Sequence, residues 1–286
     1  MLVIGGHPRS GTTLLASLLN SHPTIAVTFE FRPFLGLHRE PRAHWQILRK
    51  DVMRRRTIEA AWLSRWQVHR GRRTLTRYVV GALDRLESAR FLRSYWARIR
   101  DLPMVDAGAI QAGYQAHFRQ EKLMGDKFPE YVLSLDSLEA EPDLVLIMIY
   151  RDPRDVAASA VKMFRRGWSG GLLGERLSTP EGVAGTWSEA TRSMLAHQSR
   201  CHLVRYEALV SDPEHTLGAL GRSIGVDPAG FWSGQIRHDS VGKGRGELSA
   251  RDIQAVESVA ASEMAALGYK PLRRAGARAG SQGAAH

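Results

Sequence analysis

Two glycines five positions apart, Gly6 and Gly11, enclose His7, Pro8, Arg9 and Ser10 and lead directly into Thr12 and Thr13. This is the glycine spacing of the phosphate-cradling loop G-x-x-x-x-G-K-[ST], except that Thr12 stands where that loop carries its lysine. Backbone N–H groups at the start of a helix, joined by two threonine hydroxyls, still suit a phosphate. The lysine that reaches a terminal γ-phosphate is missing, and Arg9 is the one cation of the loop able to replace it. A second anion-binding candidate is Arg151-Asp152-Pro153-Arg154-Asp155, with Ser159 eight residues after Arg151. On a helix opening near Asp152, Ser159 lies one to two turns in, so it and Arg151 can approach one anion. A third is Val241-Gly242-Lys243-Gly244-Arg245-Gly246, whose glycines let backbone amides come close to a ligand. Separated sites of this kind suit a nucleotide with phosphate groups at two places. An ordinary nucleoside triphosphate needs one cradle and a carboxylate for magnesium.

The elements that must position these residues alternate between strand and helix. Leu2, Val3 and Ile4 form a short apolar run that breaks at the glycine turn, and Leu14, Leu15, Leu18 and Leu19 then recur with helical spacing. Thr24–Val27 reads as a second strand, delivering Glu30 and Arg32 at its C-terminal end, the end that faces the ligand crevice of open parallel sheets. From about Glu40 to Arg100 the pattern is helical, with Trp62/Trp66, Leu83/Leu86 and Phe91/Tyr95/Ile99 at three- and four-residue steps. Lys122–Lys127 predicts a strand, Pro129–Ala140 a helix with proline at its first position, and Leu144–Tyr150 a central strand buried on both faces. Asp152 caps the next helix, which runs to about Phe164. A glycine-rich segment over 167–174 is expected to be mobile. Further helices are expected at Thr186–His197, Asp212–Ile224 and Ala250–Leu267, with a strand over His202–Tyr206 and Gly268 as the last stop. Residues 273–286 are small, basic and glycine-rich, and are expected to be disordered. Repeated β-α alternation predicts an α/β fold, a mainly parallel sheet covered by helices.

The chain carries a net charge of +11, unevenly spread. Arg32 to Arg100 holds 18 Lys/Arg against five acidic residues, a net +13, which favours anionic partners; a solvated arginine-rich helical surface is the plainer account. The single cysteine, Cys201, excludes an intramolecular disulfide framework and points to a reducing compartment. No segment approaches the roughly 20 apolar residues that span a bilayer, and no signal peptide is visible at Leu2, so a cytoplasmic protein is expected.

Pro8-Arg9-Ser10-Gly11-Thr12-Thr13 resembles the 5′-phosphosulfate loop of the sulfotransferases that use 3′-phosphoadenosine 5′-phosphosulfate (PAPS). Arg151 through Ser159 resembles their 3′-phosphate motif, and Arg205-Tyr206-Glu207-Ala208-Leu209-Val210 and the Lys243/Arg245 loop resemble their later segments. The resemblance covers roughly residues 2–38 and 120–270. It implies a P-loop NTPase-like three-layer sandwich, one sulfotransferase domain over 1–272 with a basic helical insertion at about 40–100. It implies donor binding by Arg9, Ser10, Gly11, Thr12 and Thr13 at the 5′ end, by Arg151 and Ser159 at the 3′-phosphate, and by Tyr206, Lys243, Gly244 and Arg245 beside them. It also implies no metal requirement. The stretch from Gly5 to Arg32 is most similar to tyrosylprotein sulfotransferases, in which a glutamate at the position of Glu30 is the general base. Phe29 departs from that subfamily, where an acidic residue is usual, and the paired cysteines are absent.

Sulfuryl transfer is an in-line displacement akin to phosphoryl transfer, so positioning and charge stabilisation dominate it. Glu30 is the expected base, Arg9 the cation on the leaving phosphate and sulfuryl oxygens, and Lys127 resembles a family lysine near the reacting centre. Arg32 is the candidate to orient Glu30 or the acceptor, although Glu30 could instead be only its ion-pair partner. His7, His22 and His117 are alternative bases by residue type, and His22, before a proline at a helix stop, reads as structural. No His/Cys cluster has metal-ligand spacing. The insertion's tryptophans read as core residues. Two other readings are a P-loop kinase, against which the missing lysine speaks, and a nucleic-acid-binding protein using the arginine-rich helices.

Overall fold

The computed structural model describes residues 1–50, 73–234, 236 and 241–272, without the side chains of 73–81 and Arg245. Trp62 and Trp66 and the tail over 273–286 lie outside the described residues. Five parallel strands form one sheet in the order β2-β3-β1-β4-β5: β1 (Leu2–Gly5), β2 (Ile25–Phe29), β3 (Leu123–Lys127), β4 (Val145–Tyr150) and β5 (Cys201–Arg205). All strands run the same way, so their C-terminal ends share one edge. The loops after β1, β2, β3 and β4 hold, respectively, Arg9, Glu30, Phe128 and Arg151. β1 is central: the chain runs from it out to β2, returns through β3 beside it and crosses to β4 on its other side, which places a crevice at its C-terminal end.

The strands are apolar on both faces because helices cover both. Val3, Ala26, Met124, Leu146 and Met148 face a core shared with the helical excursion. Ile4, Ile25, Val27, Ile147 and Ile149 face the opposite core, beneath α1 (Thr12–Asn20). By the same alternation, Thr28 and Asp126 point to the first face and Lys127 to the second.

The excursion between β2 and β3 contains α2 (Pro41–Ile47), α3 (Arg73–Ile99) and α4 (Ala107–Gln115). An isolated antiparallel bridge between Arg39 and Val105 closes its base. Phe91, Tyr95 and Ile99 are fully buried, as their spacing predicts, and pack with Phe31 and Tyr114. Leu83 and Leu86 lie on the same helix, as their spacing predicts, and are 47% and 58% exposed on the outer side of α3. Trp45 and Trp96 pack against each other.

Several elements differ from the sequence reading for local reasons. Pro129–Ser134 is a 3₁₀ turn, and only Leu135–Glu139 (α5) is α-helical. The helix expected at Thr186 begins one and a half turns earlier as α7 (Pro180–Ala196), since Thr179 caps it and Pro180 opens it. α6 (Pro153–Phe164) is capped by Asp152 as expected. Tyr206 starts a short helix, α8 (Tyr206–Ser211), which precedes α9 (Pro213–Ile224). Part of the glycine-rich run after Val241 coils into α10 (Gly244–Glu247), and the last predicted helix is divided at Ala260 into α11 (Ala250–Val259) and α12 (Ala261–Ala266). Within 167–174, a 3₁₀ stretch starts at Gly171 and runs to Leu177. No helix among the described residues is long and apolar enough to cross a membrane.

Candidate active site

The loop after β1 needs its glycines. Gly6 has φ 145° and Gly11 φ 99°; a Cβ on Gly6 would lie 2.2 Å from Ile149 O, and one on Gly11 2.4 Å from the Tyr206 ring. Arg9 takes a left-handed conformation, φ 73°, which turns its side chain out of the loop. There its Nε donates to Ser159 Oγ at 3.1 Å, and Arg151 Nη1 donates to Arg9 O at 3.4 Å. The first two anion-binding candidates, 142 residues apart, therefore touch.

They line one cavity of about 340 Å³ together with Gly11, Thr12, Thr13, Tyr206 and Lys243. The Arg151 guanidinium lies over the Tyr206 ring at 4.4 Å and pairs with Asp155 at 3.2 Å. Asp155 is buried, and it also accepts the Gly242 and Gly244 amides at 2.8 and 2.6 Å, so it fastens the Lys243 loop to α6. Gly244 thus holds the loop by its N–H; a Cβ there would lie 2.5 Å from the Arg154 carbonyl carbon. Ser10 does not line the cavity, and its buried Oγ has no hydrogen-bond partner among the described residues. The Arg245 side chain lies outside the described residues. Arg154 is held by Asp152, Glu257 and the Lys270 carbonyl, away from this role.

Glu30 sits at the end of β2, two strand spacings from the loop of β1, on the order of 10 Å. It has φ 60°, and its Oε1 accepts Lys127 Nζ at 2.9 Å. Lys127 is 1% exposed, so Glu30 supplies the countercharge that a buried ammonium requires. Arg32, also left-handed at φ 68°, stacks its guanidinium on Phe128 at 4.3 Å. Beside them Glu130 is buried; burial pushes its carboxyl above the usual range, and it accepts the Leu172 amide at 3.2 Å.

None of the three candidate histidines lines the cavity. His22 contacts the Asp227 carbonyl and His117 pairs with Glu87. His7 Nδ1 lies 2.7 Å from Pro8 O, which can only accept, so Nδ1 carries the proton and Nε2 accepts from Thr186 at 2.9 Å. Burial pushes its pKa down to about 4. The folded state therefore resists protonating His7: its contribution is whole above about pH 6.5 and is lost as pH falls toward 4, about 3 kcal/mol in all. His7→Gln, which does not titrate, is expected to flatten this acid limb in melting temperatures taken by circular dichroism between pH 7 and 4. An unchanged limb would assign the acid lability elsewhere. Burial likewise pushes the Cys201 thiol up to about 11, which removes it as a nucleophile at neutral pH.

Sequence reasoning passed over Lys162, Asp155 and Asp126. Lys162 lines the cavity and pairs with Glu247 across its rim at 2.8 Å; its signal is the three-residue step from Ser159 on one helix face. Among the described residues, no cluster of three or more His, Cys, Asp or Glu is arranged to hold a metal ion.

Comparison with known proteins bears on this arrangement. The model of the Sulfotransferase family matches residues 2–229. Nodulation protein NoeE of Sinorhizobium fredii (strain NBRC 101917 / NGR234) is 29% identical over 246 residues, covering 79% of this chain and 50% of that protein. The chain thus spans about half the length of this curated relative. The sulfotransferase domain from the curacin biosynthetic pathway superposes with a TM-score of 0.60 at 17% identity, covering 94% of this chain and 98% of that domain. The sulfotransferase domain of the Synechococcus PCC 7002 olefin synthase gives 0.56 at 19% identity, covering 91% and 94%. These two show a shared fold, the P-loop-like α/β sandwich. With the family model spanning the sheet, the phosphate loop and the Arg151–Ser159 motif, the chain belongs to the sulfotransferase family.

Proposed function

We propose that this enzyme transfers a sulfuryl group from PAPS to an acceptor hydroxyl or amine by in-line displacement, with Glu30 as general base. The observation that carries this reading is the meeting of Arg9, Thr12, Thr13, Arg151, Ser159 and Lys243 around one cavity, with a carboxylate–lysine pair two strands away on the same edge. The residues fit the donor. Gly11, Thr12 and Thr13 line the cavity where α1 begins, a helix end that suits a phosphate, and a side chain on Gly11 would strike Tyr206. Arg9, Gly11, Thr12 and Thr13 hold the 5′-phosphosulfate, and Ser10, buried behind them with its amide on the His7 carbonyl, shapes the loop instead. Arg151 and Ser159, with Tyr206 and the Lys243-Gly244-Arg245 loop, hold the 3′-phosphate, and Lys162 adds a cation to that end.

In this reading PAPS supplies an activated sulfuryl group, and the chain supplies geometry and charge. Glu30 takes the proton of the acceptor as its oxygen or nitrogen attacks sulfur. Arg9 neutralises charge on the leaving phosphate and sulfuryl oxygens, and Lys127 orients Glu30 through its 2.9 Å hydrogen bond. Arg32, flat on Phe128, presents a guanidinium to the acceptor. The net +13 over Arg32–Arg100 supports an anionic acceptor, such as an acidic tyrosine peptide, a glycan or a glycolipid. The test is transfer from ³⁵S-labelled PAPS to a panel of peptides, glycans and cell extract. Label moving into no acceptor would overturn the reading, and faster turnover of a neutral acceptor than of its anionic analogues at low salt would overturn its anionic part.

Gly11→Ala is expected to abolish measurable binding of adenosine 3′,5′-bisphosphate in titration calorimetry, because a left-handed residue would acquire a methyl 2.4 Å from the Tyr206 ring. Parent-like affinity would remove the loop from the donor site.

A further inference from the structure

The turn that carries Glu30 is held from inside the protein by a carboxylate to which the reaction assigns no step. Asp126 is fully buried on β3. Its Oδ1 accepts the Thr28 hydroxyl at 2.7 Å and the Phe31 amide at 3.0 Å; its Oδ2 accepts the Arg32 amide at 2.9 Å and the Tyr131 hydroxyl at 2.7 Å. Four donors thus converge on two oxygens.

The reason for this carboxylate lies in how β2 ends. The ladder with β3 closes with the Glu30 amide donating to Lys127 O at 2.7 Å. Beyond it the chain turns through two left-handed non-glycine residues, Glu30 and Arg32, and the intervening amides have no strand opposite them. Asp126 takes both. Because neighbouring strand residues face opposite ways, Asp126 grips the turn through its backbone from the core side. Lys127, the next residue, grips the Glu30 side chain at the edge of the crevice.

The grip extends into the helical excursion. A carboxylate only accepts, so the Thr28 hydroxyl gives its proton to Asp126, and Tyr114 on α4, 2.6 Å from Thr28 Oγ1, must donate to Thr28. The excursion's core is thereby tied to the strand end that presents Glu30.

We propose that Asp126 is a positioning residue of the acceptor half of the site: by capturing the Phe31 and Arg32 amides it fixes the turn that sets Glu30 against Lys127. The inference rests on reading Glu30 as the general base. Asp126→Asn keeps the shape but turns an NH₂ group toward two donors, so the turn loosens while the donor cavity on the other side of β1 is untouched.

The experiment is a double-mutant cycle with Glu30→Gln. Its readout is single-turnover release of inorganic sulfate from ³⁵S-labelled PAPS with water as acceptor, alongside calorimetric affinity for adenosine 3′,5′-bisphosphate. Asp126→Asn is expected to lower turnover at least about tenfold in the parent, less than about threefold in the Glu30→Gln background, and to leave the bisphosphate affinity within about twofold. Equal losses in both backgrounds, or affinity falling in step with turnover, would overturn the proposal. Should Asp126→Asn fail to fold, Tyr131→Phe removes one donor and keeps the charge; it should slow the parent and not Glu30→Gln, and no effect on the parent would count against the proposal. Glu30→Gln turning over like the parent is the separate failure of the base reading.

Discussion

Glu30→Gln is expected to slow sulfuryl transfer by about 10²–10⁴-fold while leaving the affinity for adenosine 3′,5′-bisphosphate within a few-fold of the parent. The substitution preserves the outline of the side chain and its ability to accept from Lys127 Nζ, so what it removes is the basic oxygen and its charge. The donor cavity does not include Glu30, which is why binding and turnover should separate. Stability should fall as well, since a lysine that is 1% exposed loses its counterion, and melting temperature must be recorded beside the rate. Turnover near the parent's at equal stability would remove Glu30 as the base. A matched fall in rate and donor affinity would make it a structural residue instead.

What the sequence made legible, and what it did not, divides along the range of the interactions. The phosphate loop and the Arg151 motif were readable because each is a local device: a strand, a turn whose glycines have a stated backbone reason, and a capped helix. The parallel sheet followed from the alternation of strands and helices, and the burial of Phe91, Tyr95 and Ile99 from helical spacing. Short helices were less legible. Tyr206–Ser211 is too brief to show a period, and of the helix expected over Pro129–Ala140 only Leu135–Glu139 is α-helical, since Pro129–Ser134 winds as a 3₁₀ turn.

The long-range partners of Asp126 and Asp155 could not be read at all. Asp126 meets Phe31 and Arg32 across 95 and 94 residues, and Asp155 meets Gly242 and Gly244 across 87 and 89. Two short motifs indicated residues that line the cavity. The carboxylates that hold those residues in place appear only once the strands are ordered. The same limit explains Leu83 and Leu86: their spacing predicts a helix correctly, yet spacing alone does not say which side of that helix meets the core.

Arg151→Ala should weaken adenosine 3′,5′-bisphosphate binding by about 10–100-fold, the loss of a charge-assisted hydrogen bond of about 1.5–3 kcal/mol. The decisive control is adenosine 5′-phosphate, which lacks the 3′-phosphate and should bind parent and variant alike. The selectivity follows from how the side chain is held. Its guanidinium is pinned between the Tyr206 ring at 4.4 Å and Asp155 at 3.2 Å, so it reaches the cavity in one orientation with little entropy left to lose on binding. Removing it leaves Asp155 with the Gly242 and Gly244 amides, which keeps the Lys243 loop attached. Arg9 retains Ser159 Oγ as a partner, so the 5′ end of the site stays assembled. Equal weakening of both nucleotides would mean that Arg151 supports the loop of Arg9 through its carbonyl rather than a 3′-phosphate. Unchanged affinity for both would remove it from the donor site. A loss confined to the bisphosphate ties the 3′-phosphate to Arg151, and with it the donor specificity that separates this cavity from that of a nucleoside-triphosphate enzyme.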